Sequence, residues 1–352
     1  ETAMNTVDLC PVGALTSKDF RFKMRVWFLK ETKTIDVDCG TGTNITLWTR
    51  EDKVYRITPR QNDAVNSCWM PDSHRLNYKY INAETRIPQP VIRTDAEAPH
   101  RPSTWEPALA SAAEAVKRIA PNQLAIIASG RMTNEELYMV RHLAAQIGTD
   151  MVDIVPRMGE SDGMLISADR NPNTNGARLV LDIEPGSRLD AIREGVRSGS
   201  VKGILSLGED LISPEAGFTA EDLDKLDYLF MTAHSANETA RHADLVLPGV
   251  TYAEKFGTMI NVTGRIQRLN RAIQPIGYAR DDWQIFRDIT LLLGGNPALK
   301  DFNSALDILT AMSTEYGALN GVSWGSIGDG GQPILETGVT IPVVEREKNQ
   351  GR

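Results

Sequence analysis

Cys10 is the residue whose type and setting most directly indicate metal chemistry. It lies in the string NTVDLCPVGALTSK, in which Pro11 follows the thiol and Gly13 and Ala14 come soon after. Proline fixes the turn after a thiolate, and small residues let the backbone approach inorganic sulfur. The arrangement is typical of the last ligand of a bacterial-type iron–sulfur motif. A Cys-Pro pair by itself is more often a buried structural thiol, so the surrounding string has to decide.

A second concentration of polar side chains lies in residues 241–268, RHADLVLPGVTYAEKFGTMINVTGRIQR. The apolar run Leu245-Val246-Leu247, closed by Pro248-Gly249, predicts a buried parallel strand that ends in a turn. The segments on either side of Thr263-Gly264 predict a hairpin. Ligands of open α/β sheets usually bind at the carboxyl ends of the strands. The stretch is therefore a candidate site, and its polar members are His242, Asp244, Thr251, Glu254, Asn261 and Arg265.

Three other polar features carry weaker signals. Residues 169–176 are dense in turn formers, which favours a structural loop over a binding loop. Gly208-Glu209-Asp210 follows a predicted strand and could contact a nucleotide, but it resembles no phosphate-binding loop. His234 and His242 have no partner at metal-ligand spacing, which favours hydrogen-bonded polar residues near the sheet.

The elements that would position these residues are of two kinds. Short alternating runs between Arg25 and Tyr80, broken by Gly, Pro and Asn, predict a small β-rich domain. From Trp105 onward, apolar runs alternate with helical periodicity, which predicts a largely parallel sheet covered on both faces. Thr133 and Glu136 match the start of a capped helix. Strands are predicted at residues 124–128, 151–154, 203–208 and 228–231, and helices at 109–119, 137–147 and 283–293.

Composition limits the possible classes of function. The chain has 352 residues with a net charge of −8 and no basic run, which argues against a nucleic-acid surface. No segment is long and apolar enough to span a bilayer, and no signal peptide is evident. Three cysteines favour a reducing compartment over a disulfide framework. The chain opens in the middle of a motif at Glu1, so we expect a fragment of a longer polypeptide.

Two strings resemble known families. ADLVLPG followed by EKFGTMINVTGRIQ resembles the strand and loop of the molybdopterin oxidoreductase superfamily. LCPVGALT resembles the segment that ends a cluster-binding region in the large iron–sulfur subunit (75 kDa type) of respiratory NADH:quinone oxidoreductase, complex I. The resemblance implies that Cys10 ligates a [4Fe–4S] cluster whose other three cysteines lie upstream of Glu1.

The same resemblance indicates that a second cluster site has been lost. Catalytic relatives of the superfamily open their β-rich domain with Cys-x-x-Cys-x-x-Gly-Cys-Asn and close it with a fourth Cys before an Asp. Here Asp36 and Thr43 stand at two of those positions, only Cys39 remains, and Pro71 replaces the fourth. A four-thiolate cluster needs four thiolates, so Cys39 and Cys68 are predicted to be spare thiols. The mitochondrial-type large subunit is similar in lacking this cluster.

These observations lead to one fold and one division of the chain. The fold class is α/β, with a small β-rich degenerate iron–sulfur domain followed by a doubly wound, mostly parallel body of molybdopterin-oxidoreductase type. The expected parts are the end of a ferredoxin-like [4Fe–4S] region (1–24), the small β-rich domain (25–85), the α/β body (86–300) and a C-terminal helix and tail (301–352).

The resemblance also implies a function. We expect an iron–sulfur electron-transfer and scaffold subunit of NADH:quinone oxidoreductase, with further clusters in the full-length protein and no molybdopterin. Its partners would be other peripheral-arm subunits, including the one that binds NADH and flavin, at the cytoplasmic side of the bacterial inner membrane. The alternative is a molybdopterin-dependent oxidoreductase subunit such as formate dehydrogenase. No dinucleotide fingerprint follows any predicted strand, so the isolated chain is expected not to oxidise NADH.

Residues 241–268 would then be retained for architecture and subunit docking, with no pterin bound. Buried polar groups left unpaired are costly, by about 1–3 kcal/mol each. We therefore expect Asp244, Asn261 and Arg265 to be paired with one another and with backbone groups of the hairpin.

Overall fold

The computed structural model describes residues 2–93 and 98–349. In that part of the chain thirteen strands form three sheets. The strands are β1 Lys30–Ile35, β2 Asn44–Arg50, β3 Lys53–Pro59, β4 Val91–Ile92, β5 Arg101–Pro102, β6 Leu124–Ala128, β7 Val152–Ile154, β8 Gly203–Leu207, β9 Tyr228–Ala233, β10 Leu245–Pro248, β11 Gly257–Ile260, β12 Arg265–Leu269 and β13 Gln332–Pro333.

Helices follow or separate most of these strands. They are α1 Met4–Leu9, α2 Asp72–Leu76, α3 Trp105–Arg118, α4 Asn134–Ile147, α5 Thr174–Leu181, α6 Leu189–Ser198, α7 Ala220–Leu223, α8 Glu238–His242, α9 Asp282–Leu292, α10 Ala305–Glu315, α11 Trp324–Ile327 and α12 Pro342–Asn349. No helix in the described ranges is long and apolar enough to cross a membrane.

The central sheet has seven strands in the order β5-β4-β10-β9-β8-β6-β7. The five strands from β10 to β7 pair in parallel, whereas β4 and β5 add an antiparallel edge. Both faces of this sheet are buried. In β6, Leu124, Ile126 and Ala128 pack into one apolar cluster, and Ala125 and Ile127 pack into another on the opposite face. The continuous apolar run of β6 is the pattern expected of a strand covered by helices on both sides.

The small sheet β1-β2-β3 is antiparallel and shares its core with the hairpin β11-β12. Ile45 and Leu47 of β2 lie in the same apolar cluster as Met259 of β11 and Leu269 of β12. The fold is therefore a small β-rich unit packed on a mostly parallel α/β body, as predicted. The hairpin β11-β12 contributes apolar side chains to the cores of both units.

Several elements were not expected from the sequence. Helix α5 begins at Thr174, inside the stretch predicted to be a loop, and α6 had no prediction. Helix α10 lies within residues 301–352, where a C-terminal helix was expected, and its Ile308, Leu309 and Met312 join the main core on one side of the central sheet. The one-turn helix α11 had no prediction.

Candidate functional site

Helix α1 delivers Cys10 to the start of a tight loop. Cys10 is the residue after the helix, and its N–H donates to the carbonyl of Val7 at 3.3 Å. Gly13 then adopts a φ of +65°, which turns the chain back toward the thiol. Backbone N–H groups of Leu15 and Val12, and to a smaller extent of Ala14 and Gly13, lower the pKa of the Cys10 thiol. A partly exposed thiol whose thiolate form is stabilised by backbone donors has the properties of a metal or cluster ligand.

The Cys10 loop is anchored to the segment that closes the small β-rich unit. The N–H of Met4 donates to Asp72 Oδ1 at 3.1 Å. Arg75 donates to Asp8 Oδ2 at 2.6 Å and to Asn5 Oδ1 at 3.0 Å. These contacts fix helix α1 on helix α2, so the position of Cys10 is set by residues more than sixty places away in sequence.

The surface around Cys10 is unusually apolar. A cavity of about 540 Å³ is lined by Cys10, Gly13 and Leu15 together with side chains of the small unit. Several large apolar side chains of this region are exposed, in the following fractions: Leu9 66%, Val12 81%, Leu15 48%, Phe22 93%, Trp27 71% and Phe28 55%. Exposed apolar side chains concentrated within residues 9–28 are typical of an interaction surface.

Cys10 fits an iron–sulfur cluster as one ligand of four. Among the described residues, the one group of three or more His, Cys, Asp or Glu ligand atoms close enough to share an ion is Asp36, Asp38 and His74. Cys10 is not part of it. A [4Fe–4S] cluster here would take its other three thiolates from outside the described residues.

The second cluster position does not fit a four-thiolate cluster. Cys39 is fully buried, and burial, with a further contribution from the Asp36 carboxylate, raises the pKa of its thiol to about 11. Its Sγ lies 4.0 Å from the carbonyl oxygen of Leu165. Thr43 stands where a third cysteine would be needed, and its buried hydroxyl has no hydrogen-bond partner within the described ranges. Cys68 is exposed.

Asp36, Asp38 and His74 converge beside this lost position. The β1–β2 ladder continues past β1 through the bond from Asp36 N to Thr43 O at 2.8 Å, and α2 brings His74 against it. His74 Nδ1 lies 2.6 Å from Asp36 Oδ2, and Asn77 Nδ2 donates to Asp38 Oδ1 at 2.8 Å. Burial and the Asp36 charge raise the pKa of Asp38 to about 7. Burial alone would lower the pKa of His74, but the charge and hydrogen bond of Asp36 raise it overall.

Sequence reasoning missed this cluster. The available signal was the spacing of Asp36 and Asp38, two residues apart after a strand, since such residues share one face of an extended chain. Nothing local connects either of them to His74, which is 38 residues from Asp36.

Within residues 241–268, the structure separates the polar residues into two groups. His242 and Asp244 lie at the amino end of β10, whereas Thr251 and Glu254 follow its carboxyl end. His242 Nδ1 lies 2.9 Å from Asp224 Oδ1 on the surface, so His242 is a paired histidine as predicted. His234 is also paired, with its Nδ1 2.9 Å from Ser235 Oγ.

Asn261 organises the turn of the hairpin. Its Oδ1 accepts from Thr263 N at 3.1 Å, Thr263 Oγ1 at 2.8 Å and Arg265 N at 3.0 Å. Its Nδ2 donates to Thr41 O at 3.0 Å in the small β-rich unit. The Arg265 guanidinium donates to the carbonyl of Gly331 at 2.8 Å. The expected internal pairing is therefore correct for Asn261 and for the backbone of Arg265.

The expectation was wrong for Asp244. Its Oδ2 accepts from Leu229 N at 2.8 Å, and its Oδ1 lies 3.5 Å from Arg93 Nη2. These partners belong to the neighbouring strand β9 and to the segment after β4. Asp244 precedes β10, so it lies at the end of the strand opposite to the hairpin and cannot reach it.

The carboxyl ends of β6, β8, β9 and β10 meet at a small polar cavity. Its volume is about 90 Å³, and its lining includes Ser129, Gly208, His234 and Thr251. Around it Lys255 donates to both carboxylate oxygens of Glu136 at 2.8 Å. Ligand pockets for molecules of cofactor size hold about 300–1,000 Å³. The cavity at the strand ends is smaller than such pockets. In the hairpin, Asn261 uses its Oδ1 and one N–H of its Nδ2 in hydrogen bonds within the protein.

A second buried ion pair joins the small unit to the same edge of the sheet. Arg86 Nη2 lies 2.6 Å from Glu254 Oε2, and both side chains are almost fully buried. Glu254 also accepts from Thr251 N at 2.7 Å, which closes the turn after β10. Breaking a buried pair by removing one partner leaves an uncompensated charge, so these residues hold the turn in place.

Two family models match the chain. The model described as NADH-ubiquinone oxidoreductase NDSU1/NuoG-like, 4Fe-4S domain, matches residues 29–79. The model described as Molybdopterin oxidoreductase matches residues 170–290. The first match includes the whole β1-β2-β3 sheet with Asp36, Cys39 and His74, and the second includes β8 to β12.

Curated relatives are similar over most of the chain. The mitochondrial NADH-ubiquinone oxidoreductase 78 kDa subunit of Candida albicans is 27% identical over 421 residues, covering 86% of this chain and 58% of that protein. The NADH-quinone oxidoreductase G subunit of Rickettsia conorii is 24% identical, covering 82% of this chain and 59% of that protein. The chain thus spans less than two thirds of the length of these relatives. The alignment of 421 residues exceeds the 352 residues of the chain, so the Candida protein carries insertions within the matched region.

One solved structure supports the fold. Acetylene hydratase from Pelobacter acetylenicus superposes with a TM-score of 0.61 at 10% identity, covering 84% of this chain and 73% of that one. At such low identity the likeness establishes the architecture alone.

Proposed function

We propose that this chain, which is similar to the large iron–sulfur subunit of NADH:quinone oxidoreductase over most of its length, is an iron–sulfur electron-transfer and scaffold subunit of such a complex. The observation that carries the proposal is the Cys10 loop. It presents a partly exposed thiol, with a pKa lowered by converging backbone donors, next to a unit matched as a NuoG-like 4Fe-4S domain.

Each part of the Cys10 region has a role in this proposal. The Cys10 thiolate holds one iron of a [4Fe–4S] cluster, and the bound cluster supplies one-electron transfer. N–H groups of Leu15 and Val12 stabilise the negative charge of the ligand sulfur, as hydrogen bonds to cluster sulfurs do. Arg75 fixes helix α1 through Asp8 and Asn5, which holds the sulfur in position. Further clusters belong to parts of the protein outside this sequence.

The α/β body acts as a scaffold without molybdenum. The cavity at the carboxyl ends of the central strands is small, and the buried pairs Lys255–Glu136 and Arg86–Glu254 lie at this edge of the sheet. The match to a molybdopterin oxidoreductase model supports the alternative of a molybdopterin-dependent enzyme such as a formate dehydrogenase subunit. The polar residues at this edge are already paired and the cavity is small, so we favour the scaffold role over the molybdoenzyme alternative.

The partners would be other peripheral-arm subunits of the complex, including the subunit that binds NADH and flavin. Electrons would pass from NADH and flavin through the clusters toward quinone, which partner subunits bind. The exposed apolar side chains around Cys10 support such contacts. The proposed place is the cytoplasmic side of the bacterial inner membrane, peripheral to the bilayer.

The test is substitution of the cysteines in the full-length subunit within its complex. Cys10→Ala should remove or alter one [4Fe–4S] signal in low-temperature EPR under strong reduction. Cys39→Ala and Cys68→Ala are the matched controls and should leave every signal unchanged. Metal analysis of the same samples should find iron without molybdenum.

An unchanged EPR spectrum in the Cys10 variant would contradict the ligand assignment. A stoichiometric amount of molybdenum, with a pterin recovered after acid extraction, would instead establish the molybdoenzyme alternative.

A further inference from the structure

The group Asp36, Asp38 and His74 offers one nitrogen and two carboxylate ligands beside the position where the second iron–sulfur motif has lost its cysteines. We propose that these three side chains bind a single divalent cation such as Zn²⁺, Mn²⁺ or Fe²⁺. The site would thus remain a metal site with a different donor set.

The geometry is compact. One ligand atom from each of the three residues lies within 4.8 Å of the other two. Asp36 is 2% exposed and His74 is 6% exposed, so two of the three ligands are withdrawn from water. Asp38 is half-buried and borders an open cleft of about 570 Å³ with His74, which gives an ion a route to the site. A partly enclosed set of three protein ligands with one open side is the arrangement of metal sites that retain water.

Charge favours a cation between the two carboxylates. Asp36 and Asp38 place two carboxyl groups close together in a largely buried setting, and a divalent ion would neutralise both in their ionised forms. Arg131, Arg157 and Arg170 are the cations that border the cleft. Arg131 is exposed to solvent, Arg157 donates to Glu209 Oε1 at 2.9 Å, and Arg170 donates to Glu160 O at 2.7 Å. None of the three forms an ion pair with the two aspartates among the described contacts.

The match to a 4Fe-4S domain model supports a metal at this place. The matched residues, 29–79, begin just before Asp36 and end just after His74. Asp36 and Asp38 follow strand β1 and His74 lies on helix α2, so the three ligands lie in the opening and closing segments of the matched domain. Asn77 adds an outer contact by donating to Asp38 Oδ1 at 2.8 Å, which orients that carboxylate.

The donor set selects the class of metal. Carboxylate oxygen and imidazole nitrogen suit Zn²⁺, Mn²⁺ and Fe²⁺, whereas iron–sulfur clusters and Cu⁺ need thiolates. Cys39, the remaining thiol of the motif, contacts Leu165 O and is not part of the group.

The experiment measures binding of the metal ion itself. The purified protein, without an affinity tag that binds metals, is stripped with a chelator, dialysed against Zn²⁺ or Co²⁺, and analysed for bound metal. We expect one ion per chain in the wild-type protein, and binding weaker by roughly tenfold or more in His74→Gln and in Asp38→Asn. X-ray absorption of the zinc form should show nitrogen and oxygen neighbours at about 2.0–2.1 Å and no sulfur at about 2.3 Å.

His242→Gln is the matched control because His242 also faces an aspartate, Asp224 at 2.9 Å, but has no third ligand. It should bind the ion as the wild-type protein does, and so should Cys39→Ala.

Asp38 is half-buried, so Asp38→Asn tests the site even if the His74 variant fails to fold. Equal binding by the wild-type and Asp38→Asn proteins, or no binding by the wild-type protein, would overturn the proposal and leave Asp36–His74 as a buried ion pair. The assay involves no electron transfer, so its outcome is independent of the proposed function.

Discussion

At the scale of single residues, the most constrained carboxylate is Glu135 in the first turn of α4. It is fully buried, and its two oxygens accept from Thr258 N and Thr258 Oγ1, each at 2.8 Å. These bonds join α4 to β11 of the hairpin. Burial outweighs them and raises the pKa of Glu135 from its usual 4.5 to about 7.

This raised pKa predicts a pH-dependent stability. The folded state keeps the Glu135 proton up to about pH 7, whereas the unfolded chain releases it near pH 4.5. The contribution of Glu135 is therefore present below pH 4.5 and is lost as the pH rises through 7, by up to about 3 kcal/mol. Glu135→Gln should flatten the fall in the free energy of unfolding between about pH 5 and 8.

Denaturant unfolding at a series of pH values measures the effect. Glu114→Gln, at an exposed position of α3, should leave the pH dependence as it is in the wild-type protein. Parallel curves for the wild-type and Glu135→Gln proteins would show that Glu135 is ionised in the folded state throughout this range.

At the scale of elements, the hairpin β11-β12 determines how the two units of the fold meet. Its turn needs Gly264, which adopts a φ of +77° and would place a Cβ 2.2 Å from the carbonyl oxygen of Leu335. Asn261 closes the same turn and bonds Thr41 of the small unit. One side chain therefore fixes both the turn and its contact with the neighbouring sheet.

Asn261→Ala should destabilise the protein, because it leaves several buried backbone groups unpaired. The expected cost is about 2–4 kcal/mol, and the midpoint of thermal unfolding should fall by several degrees. Asn122→Ala, at an exposed position with no described side-chain hydrogen bond, is the control.

In the proposed complex, assembly of the Asn261 variant should decrease while electron transfer per assembled complex is unchanged. Normal stability with lost turnover would point to a ligand at the hairpin.

At the scale of the whole molecule, charge and apolar exposure are unevenly distributed. The chain carries a net charge of −8, yet residues 17–30 hold five basic side chains against one acidic side chain, Asp19. The same segment exposes Phe22, Trp27 and Phe28. Arg21 and Arg25 lie over the rings of Phe22 and Trp27, at 4.7 and 5.3 Å from the ring centroids. A surface of this kind suits a partner with acidic groups around an apolar centre.

The double variant Phe22→Ser/Trp27→Ser should reduce incorporation of the protein into the complex, because it removes the apolar part of this surface. Native gel electrophoresis of the assembled complex measures incorporation. The thermal midpoint of the free protein should stay near that of the wild type, since both side chains are exposed. Leu306→Ser and Val339→Ser, which are 40% and 50% exposed, are the matched controls and should assemble normally. Full incorporation of the double variant would show that partners bind elsewhere.

Local sequence determined most of the elements. The apolar run Leu124–Ala128 is a strand with those bounds. Thr133 and Glu136 form the predicted capping box, because the bonds of a cap join residues three apart. Residues with strong local signals fold as those signals indicate, and this is why the α/β class and the hairpin were predictable.

Contacts between distant segments determined the elements and side-chain partners that local sequence signals do not specify. Helix α5 forms where propensity is weak, because apolar residues on one of its faces pack against the main core. The partners of Asp244, Leu229 of β9 and Arg93, come from distant segments of the chain, so only the pairing of the strands shows them. The meeting of Asp36 with His74 depends on how α2 packs against the sheet. Sequence alone thus determined the fold class and most of the elements and made Cys10 a candidate ligand, whereas the contacts between distant segments that bring Asp36, Asp38 and His74 together exist only in the folded chain.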